Sequence, residues 1–139
     1  PTSIAVADLN RDGKADLIVT SFISAFGRAA GPLILVPGNG DGSFSPPVSI
    51  GGASAFPLSP AVADFDGDNR MDVAEILGSS VSVFREVAGR PIWSRLVFFA
   101  GASNFALATA DFNADGKPDI VVANMGGDDV SILMNISGQ

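Results

Sequence analysis

The chain is organised around a nine-residue stretch, Asp111-Phe112-Asn113-Ala114-Asp115-Gly116-Lys117-Pro118-Asp119, which occurs in three versions. The other two are Asp8-Leu9-Asn10-Arg11-Asp12-Gly13-Lys14-Ala15-Asp16 and Asp64-Phe65-Asp66-Gly67-Asp68-Asn69-Arg70-Met71-Asp72. We refer to them in chain order as loop 1 (8–16), loop 2 (64–72) and loop 3 (111–119). Each has an oxygen-bearing side chain at positions one, three, five and nine. A calcium ion needs about six to eight oxygen ligands, and position seven adds a backbone carbonyl, so the pattern predicts three calcium loops.

Position six of each loop must turn sharply, which requires a left-handed backbone that glycine adopts most readily. It is Gly13 in loop 1 and Gly116 in loop 3, whereas loop 2 has Asn69, the residue that tolerates this conformation next best. One acidic run of this kind is also compatible with a solvated turn. Three runs in the same register favour metal binding.

The negative charge is concentrated in the loops, which contain ten of the fifteen acidic residues. Three divalent cations would bring the formal charge from −7 to −1. The eight Lys and Arg residues are scattered, which argues against a nucleic-acid partner, because phosphate contacts need clustered basic residues. No apolar run approaches the roughly 20 residues of a membrane-spanning helix, so we expect no membrane insertion.

Cysteine is absent, which excludes disulfides and thiolate metal sites without fixing the compartment. Calcium sites built from a short loop are most useful where calcium is plentiful. They therefore favour an extracellular, periplasmic or cell-surface setting.

The loops belong to a longer repeat, since their first aspartates are 56 and 47 residues apart, a period typical of propellers and solenoids. Strand-like apolar segments flank each loop and a third follows, while a fourth strand is predicted at Ser43–Ile50 and at Pro91–Phe98. Neither flank has helical periodicity, which argues against an EF-hand or a dockerin-like module.

These units predict an all-β fold, a partial β-propeller of about three four-stranded antiparallel blades with the third incomplete. We expect one repeat domain over residues 1–139, with blade 1 at about 1–52, blade 2 at about 53–100, and blade 3 at about 101–139 without its fourth strand. Three blades are too few to close a ring and would leave apolar faces and strand edges open. We therefore expect a homo-oligomer or a fragment of a longer propeller.

The segment Ala110 to Asn124, its counterparts at 7–20 and 63–76, and the Gly38–Phe44 hairpin resemble the FG-GAP (VCBS-type) repeat of integrin-α-like propellers. The resemblance covers nearly the whole chain and implies one calcium ion per blade, between the first two strands. The side-chain ligands that it implies are Asp8, Asn10, Asp12 and Asp16 in loop 1, Asp64, Asp66, Asp68 and Asp72 in loop 2, and Asp111, Asn113, Asp115 and Asp119 in loop 3. The implied backbone-carbonyl ligands are Lys14, Arg70 and Lys117. The chain departs from the family pattern at Asn69 and in having just under three blades where about seven are common.

The resemblance implies a non-catalytic role: a calcium-stabilised binding or scaffold module for extracellular adhesion or protein interaction, with an unknown protein or glycan ligand. A carbohydrate-binding lectin is one alternative, and a non-catalytic part of a larger secreted enzyme is another. We expect no enzymatic activity, because the chain has no His and no Cys for the usual nucleophile pairs. Its two glutamates, Glu75 and Glu86, have no obvious partner in the sequence.

Three further features have competing interpretations. The insertion Ser21–Gly31, with Phe22, Phe26 and Arg28, is a candidate contact loop, or a flexible or blade-packing insertion. A sugar site would need an aromatic ring, and the single tryptophan, Trp93, is expected in the blade core instead. Asn135-Ile136-Ser137 matches a glycosylation acceptor, a pattern that arises often by chance, and Asp41 is expected in a turn.

Overall fold

The computed structural model describes residues 1–21, 23–25, 28–54, 60–86 and 93–137, with the backbone alone for 23–25, 28–30, 52–54, 86 and 93–94. Over these ranges the secondary structure is β-strand, arranged in three antiparallel sheets that do not close into a ring. The prediction of an all-β partial propeller is confirmed. In the part of the chain that is described, no helix is long and apolar enough to cross a membrane.

The sheet of blade 1 contains β1 (Ser3–Ala7), β2 (Asp16–Thr20), β3 (Ile23–Ala25), β4 (Arg28–Val36) and β5 (Val48–Ser54). Four strands lie side by side in the order β1-β2-β4-β5, and loop 1 joins the first two. The fourth strand begins later than the predicted Ser43, after Pro46 and Pro47, which have no backbone N–H to donate to a neighbouring strand.

β3 lies within the Ser21–Gly31 insertion, whose role as a contact loop stays a prediction. Thr20 pairs with Leu33 and Ile23 pairs with Ala30, so β3 continues β2 along the same edge of β4. The described part of this segment is therefore an extension of the β2–β4 hairpin. Phe22 and Phe26 lie outside the described residues, as does the side chain of Arg28.

Blade 2 consists of β6 (Ala61–Ala63), β7 (Asp72–Leu77), β8 (Ser80–Glu86) and β9 (Trp93–Phe99), paired in that order. Blade 3 consists of β10 (Asn104–Ala110), β11 (Asp119–Asn124) and β12 (Asp129–Leu133), also paired in order. The described part of blade 3 thus has three strands, in agreement with the predicted lack of a fourth. Loops 2 and 3 join the first two strands of their blades, as loop 1 does in blade 1.

The hydrophobic core lies between the blades, in two clusters. The cluster between blades 1 and 2 consists of Leu9, Ile18, Leu33, Ile50, Val73 and Phe84. The cluster between blades 2 and 3 consists of Phe65, Ala74, Val81, Val83, Ala100, Ile120 and Val122. Because side chains alternate along a strand, β7 sends Val73 to the first cluster and Ala74 to the second. Blade 2 is therefore covered on both faces, and this stacking places the three loops at the same end of the molecule.

Candidate metal centre

The three loops have the same backbone shape. Both position four and position six are left-handed, with φ values of 60° and 82° at Arg11 and Gly13, 76° and 70° at Gly67 and Asn69, and 61° and 83° at Ala114 and Gly116. The left-handed position six was predicted from the sequence, whereas the left-handed position four was not. Loop 2 has its glycine at position four and asparagine at position six. Since asparagine tolerates this conformation well, loop 2 keeps the shape of the other two.

The position-one carboxylate organises each loop by accepting two backbone N–H bonds. Asp8 accepts them from the amides of positions five and six at 3.1 and 2.9 Å, and Asp111 does so at 3.1 and 2.8 Å. Asp64 accepts them from positions four and six at 2.8 and 2.7 Å. The first aspartate therefore lies inside the turn and faces the loop backbone.

Positions three and five add further bonds of the same kind. Each accepts a hydrogen bond from the backbone amide two residues later, the Asx-turn geometry that short oxygen side chains form. The position-three bonds are 3.0, 3.2 and 3.0 Å long at Asn10, Asp66 and Asn113, and the position-five bonds are 3.0, 2.8 and 3.0 Å long at Asp12, Asp68 and Asp115. The backbone of each loop therefore surrounds its own oxygen-bearing side chains and is hydrogen-bonded to them.

The aspartates at position nine, Asp16, Asp72 and Asp119, differ from the others because they are fully buried, at 0, 1 and 0% exposure. In each loop one carboxylate oxygen accepts the backbone N–H of position two, at 3.0, 2.9 and 3.0 Å in loops 1 to 3. In blades 1 and 3 the other oxygen accepts an amide just beyond the third strand, from Gly38 at 2.9 Å and from Asn135 at 2.7 Å. Position nine thus joins the loop to the third strand, a role that the metal-ligand pattern alone does not reveal.

Loop 2 brings three carboxylates together. One oxygen each of Asp64, Asp66 and Asp72 lies within 4.8 Å of the others, and among the described residues no further group of acidic side chains converges so closely. Loops 1 and 3 have one carboxylate fewer, because position three is Asn10 or Asn113 there. Burial raises the pKa of Asp72 to about 7. Repulsion from the neighbouring aspartates acts in the same direction, and the hydrogen bond from the Phe65 amide opposes it.

The donor set fits a hard divalent cation. Carboxylate and amide oxygens are the ligands that calcium prefers, and a cation among Asp64, Asp66 and Asp72 would relieve their mutual repulsion. An arginine already does so in part, since a guanidinium nitrogen of Arg85, from β8, lies 3.3 Å from Oδ2 of Asp66. Arg85 is not evident from the loop pattern, but an alignment of the three repeats distinguishes it, since the equivalent positions are Pro37 and Met134.

The residues at position seven are bound mainly through their backbone amides to position five, as described above. Their side chains form exposed ion pairs in two loops, Lys14 with Asp12 at 3.6 Å and Arg70 with Asp68 at 3.9 Å. In loop 3 the Lys117 ammonium donates instead to the Ser137 carbonyl. Ion pairs this exposed contribute little to stability.

Asn135 belongs to the structural framework of this end of the molecule. Its side-chain nitrogen, to which a glycan would be attached, donates to the carbonyls of Phe65 at 2.8 Å and Pro118 at 3.2 Å. It thereby ties the end of blade 3 to loops 2 and 3. This role agrees with the interpretation that the glycosylation acceptor pattern at Asn135-Ile136-Ser137 arises by chance.

The other two features singled out in the sequence lie away from the loops. Asp41 lies in a turn as expected, and its hydrogen bonds from the Ser43 hydroxyl and amide, at 2.6 and 2.9 Å, lower the pKa of its carboxyl. Trp93 begins β9, and its side chain lies outside the described residues.

A cleft of about 320 Å³, lined by residues of both loops, separates loop 2 from loop 3. Asp64 and Asp66 line one side and Lys117 the other, and Asn135 lies between them. An apolar cleft of about 290 Å³ adjoins it and shares Phe65, Asp66 and Asn135 with it. The loop end of the molecule is therefore concave between blades 2 and 3.

Two comparisons with known proteins bear on the family. A family model described as FG-GAP repeat matches residues 1–22 and 103–136, and one described as FG-GAP-like repeat matches residues 22–74. A search of curated proteins found no match. The two models together include loops 1 to 3, the same stretches on which the resemblance in the sequence rests. The chain therefore belongs to the FG-GAP repeat family.

Proposed function

We propose that this chain is a calcium-stabilised binding or scaffold module whose three loops each bind one ion. The observation that carries the proposal is the convergence of Asp64, Asp66 and Asp72 in a loop whose backbone shape the other two loops repeat. Membership of the FG-GAP family supports a propeller-like interaction module, and the loop chemistry supports calcium as its cation.

In this proposal the side chains at positions one, three, five and nine and the carbonyls at position seven hold the ion. When bound, calcium supplies positive charge at the centre of the loop. The buried position-nine aspartate connects this centre to the position-two amide and, in blades 1 and 3, to the residue beyond the third strand. Ion binding would therefore hold the first three strands of blades 1 and 3 in register.

A binding role is supported better than a catalytic one. Most loop carboxylates already accept backbone N–H bonds, and carboxylates held in this way, or by a cation, are poor general bases. Glu75 is 1% exposed, in the interior of blade 2 rather than in a cleft. We propose a protein or glycan ligand at the loop end and an extracellular setting, where calcium is abundant enough to fill sites of this kind.

Calcium titration of the chelator-treated chain by isothermal calorimetry, with equilibrium dialysis for stoichiometry, tests the proposal. We expect three ions per chain, and we expect Asp8→Ala, Asp64→Ala and Asp111→Ala each to remove one. Asp41→Ala is the matched control, because it removes an aspartate whose bonds stay within its own turn. No binding at millimolar calcium, or an unchanged stoichiometry in the three loop variants, would contradict the proposal.

A glycan array and a panel of extracellular matrix proteins, each with calcium and with chelator, would then separate the two ligand classes. We expect the Asp64→Ala variant to lose any calcium-dependent binding that involves loop 2. Binding that persists in chelator would place the ligand contact away from the loops.

A further inference from the structure

Loop 2 differs from loops 1 and 3 at two positions that lie 19 residues apart in the chain and meet in the structure. Position three is an aspartate, Asp66, where the other loops have Asn10 and Asn113. The third strand of the blade supplies Arg85, whereas the equivalent residues of blades 1 and 3 are uncharged. A guanidinium nitrogen of Arg85 lies 3.3 Å from Oδ2 of Asp66. The additional negative charge of loop 2 is therefore accompanied by a positive charge.

The charge balance shows what Arg85 compensates. The side chains at positions one, three, five and nine include three carboxylates in loop 1 and in loop 3, but four in loop 2. When the Arg85 guanidinium is counted with loop 2, the formal charge of all three groups is −3. Arg85 is therefore the counter-ion of the carboxylate that loop 2 has in excess.

The hydrogen bonds at position three show which oxygen Arg85 occupies. In each loop one side-chain oxygen of this residue accepts the amide of position five, and in loop 2 this oxygen is Oδ1 of Asp66, at 3.2 Å. In loops 1 and 3 the other polar atom is an amide nitrogen, which donates to the position-five carboxylate at 3.4 and 3.1 Å. In loop 2 the other atom is Oδ2, which cannot donate and accepts from Arg85 instead. The Asp66 oxygen that the loop backbone leaves available to a cation is therefore the oxygen that Arg85 holds.

The ion pair between Arg85 and Asp66 is built to exchange rather than to persist. Its single contact, through Nη1 of Arg85, is longer than the roughly 2.7 to 2.9 Å of a strong charge-assisted hydrogen bond. Nε of Arg85 is buried and has no hydrogen-bond partner in the part of the chain that the structure describes. Both side chains are partly exposed, and ion pairs of this kind contribute little stability. A divalent cation, with twice the charge of the guanidinium, can therefore displace it from the carboxylate.

We propose that Arg85 is a built-in competitor for the cation of loop 2, which binds by taking Oδ2 of Asp66 from the guanidinium. In the absence of calcium, Arg85 neutralises the excess carboxylate and keeps the loop together. Loop 2 therefore fills at a higher free calcium concentration than the same loop would without the arginine. Because Arg85 also lines the apolar cleft between blades 2 and 3, the exchange links occupancy of loop 2 to that cleft. The inference rests on the calcium binding proposed above and adds a control of one of its sites.

Amide NMR titration of the full chain at buffered free calcium tests the competition, because Gly13, Gly67 and Gly116 report loops 1, 2 and 3 separately. Arg85→Met introduces the residue type that blade 3 has at this position, and it should lower the calcium midpoint of Gly67 by about fivefold. The midpoints of Gly13 and Gly116 should not change, so these two loops are internal controls. Arg95→Met is the matched control variant, because it removes the same charge from an exposed residue of β9 and should leave all three midpoints unchanged.

Two further measurements separate competition from a structural role of Arg85. In the parent chain, the Nε–Hε resonance of Arg85 should shift with the same calcium midpoint as the Gly67 amide, because the guanidinium leaves Asp66 when the ion binds. In an Asp66→Asn background, Arg85→Met should change the Gly67 midpoint much less, since the carboxylate for which the arginine competes is gone.

The outcomes distinguish this inference from the calcium proposal. If calcium still shifts Gly67 in Arg85→Met but the midpoint is unchanged, the competition is overturned and calcium binding stands. A raised midpoint would also overturn it, because Arg85 would then hold Asp66 in place as a ligand. The same fivefold decrease in Arg95→Met would reduce the effect to general charge and overturn the specific role of Arg85. If calcium shifts Gly67 in neither the parent nor Arg85→Met, both proposals fail for loop 2.

Discussion

At the residue scale, the aspartates of one loop have different roles although they look alike in the sequence. Asp16 is fully buried and accepts N–H bonds from Leu9 and Gly38, so replacing it leaves buried donors without partners. We expect Asp16→Ala to lower the free energy of unfolding in chelator by about 3 kcal/mol. Asp12→Ala removes an exposed acceptor from the same loop and should cost about 0.5 kcal/mol.

Urea unfolding of both variants in chelator measures this difference, and calcium titration completes the comparison. Both substitutions should abolish binding at loop 1, because both remove a proposed ligand. Equal loss of stability in chelator would show that the buried bonds of position nine contribute no more than a surface turn does.

Glu75 differs in type from the residues at the same position of the other two repeats. It lies in the interior of blade 2 opposite Ser82, one of its carboxylate oxygens has no hydrogen-bond partner, and Val19 and Val122 occupy the same position in the other blades. Burial raises the pKa of Glu75 to about 7, which the attraction of Arg95 only partly offsets. The protonated form is therefore the one that fits the folded chain.

The sign of the pH dependence follows from this raised pKa. Stability that depends on protonated Glu75 is fully present below about pH 4.5 and is lost as the pH rises through about 7. The raised pKa of Asp72 also makes stability fall as the pH rises. The contribution of Glu75 is therefore measured as the difference in unfolding free energy between the parent chain and a Glu75 variant. We expect Glu75→Val to be more stable than the parent by about 3 kcal/mol at pH 8, with the difference shrinking towards pH 4. A pH-independent difference in urea unfolding would show that the pKa of Glu75 is the same in the folded and the unfolded chain.

At the scale of elements, Gly51 lets the outer strand of blade 1 approach blade 2. A Cβ atom built on Gly51 would lie 2.4 Å from Cε1 of Phe84, a buried ring on β8. Gly51→Ala should therefore push β5 away from blade 2 and lower the free energy of unfolding by about 2 kcal/mol. Ser49→Ala, at an exposed site of the same strand, is the control and should change stability by less than about 0.5 kcal/mol. Equal effects would mean that the contact between β5 and Phe84 is adaptable.

The sequence predicts those elements whose chemistry is local. The left-handed position six, the hairpins and the third strands all follow from residues adjacent in the chain, and the structure has them where the pattern places them. The extension of blade 1 by β3 was missed, because Ile23–Ala25 lies in a segment interpreted as an insertion and pairs with the first three residues of β4. A short apolar segment indicates that a strand is present, but it does not indicate how far that strand pairs with its neighbour.

Long-range contacts at the candidate site were beyond the sequence for a different reason. The bonds from Gly38 and Asn135 to the position-nine aspartates join residues 22 and 16 positions apart through backbone amides, which every residue type except proline possesses. The Arg85–Asp66 pair crosses from β8 to loop 2 and has no counterpart in the other repeats. Residue type indicates candidate ligands, but it does not indicate which backbone amides those side chains also bind.

At the scale of the whole molecule, the chain is a stack in which the middle layer has neighbours on both sides. Blade 2 is buried on both faces of β7, whereas blades 1 and 3 each leave one face to solvent. Exchange of a backbone amide needs local opening, and an opening that separates two packed faces costs more than one at a free face. The amides of β7 should therefore exchange only through global unfolding.

Hydrogen exchange followed by mass spectrometry measures this order. Among the described strands, protection should fall from β7 to β11 and then to β12, which lies at the edge of its sheet. Equal protection of β7 and β12 would mean that the three blades unfold as one unit. The burial of both faces of blade 2 would then give β7 no more protection from exchange than β12 has.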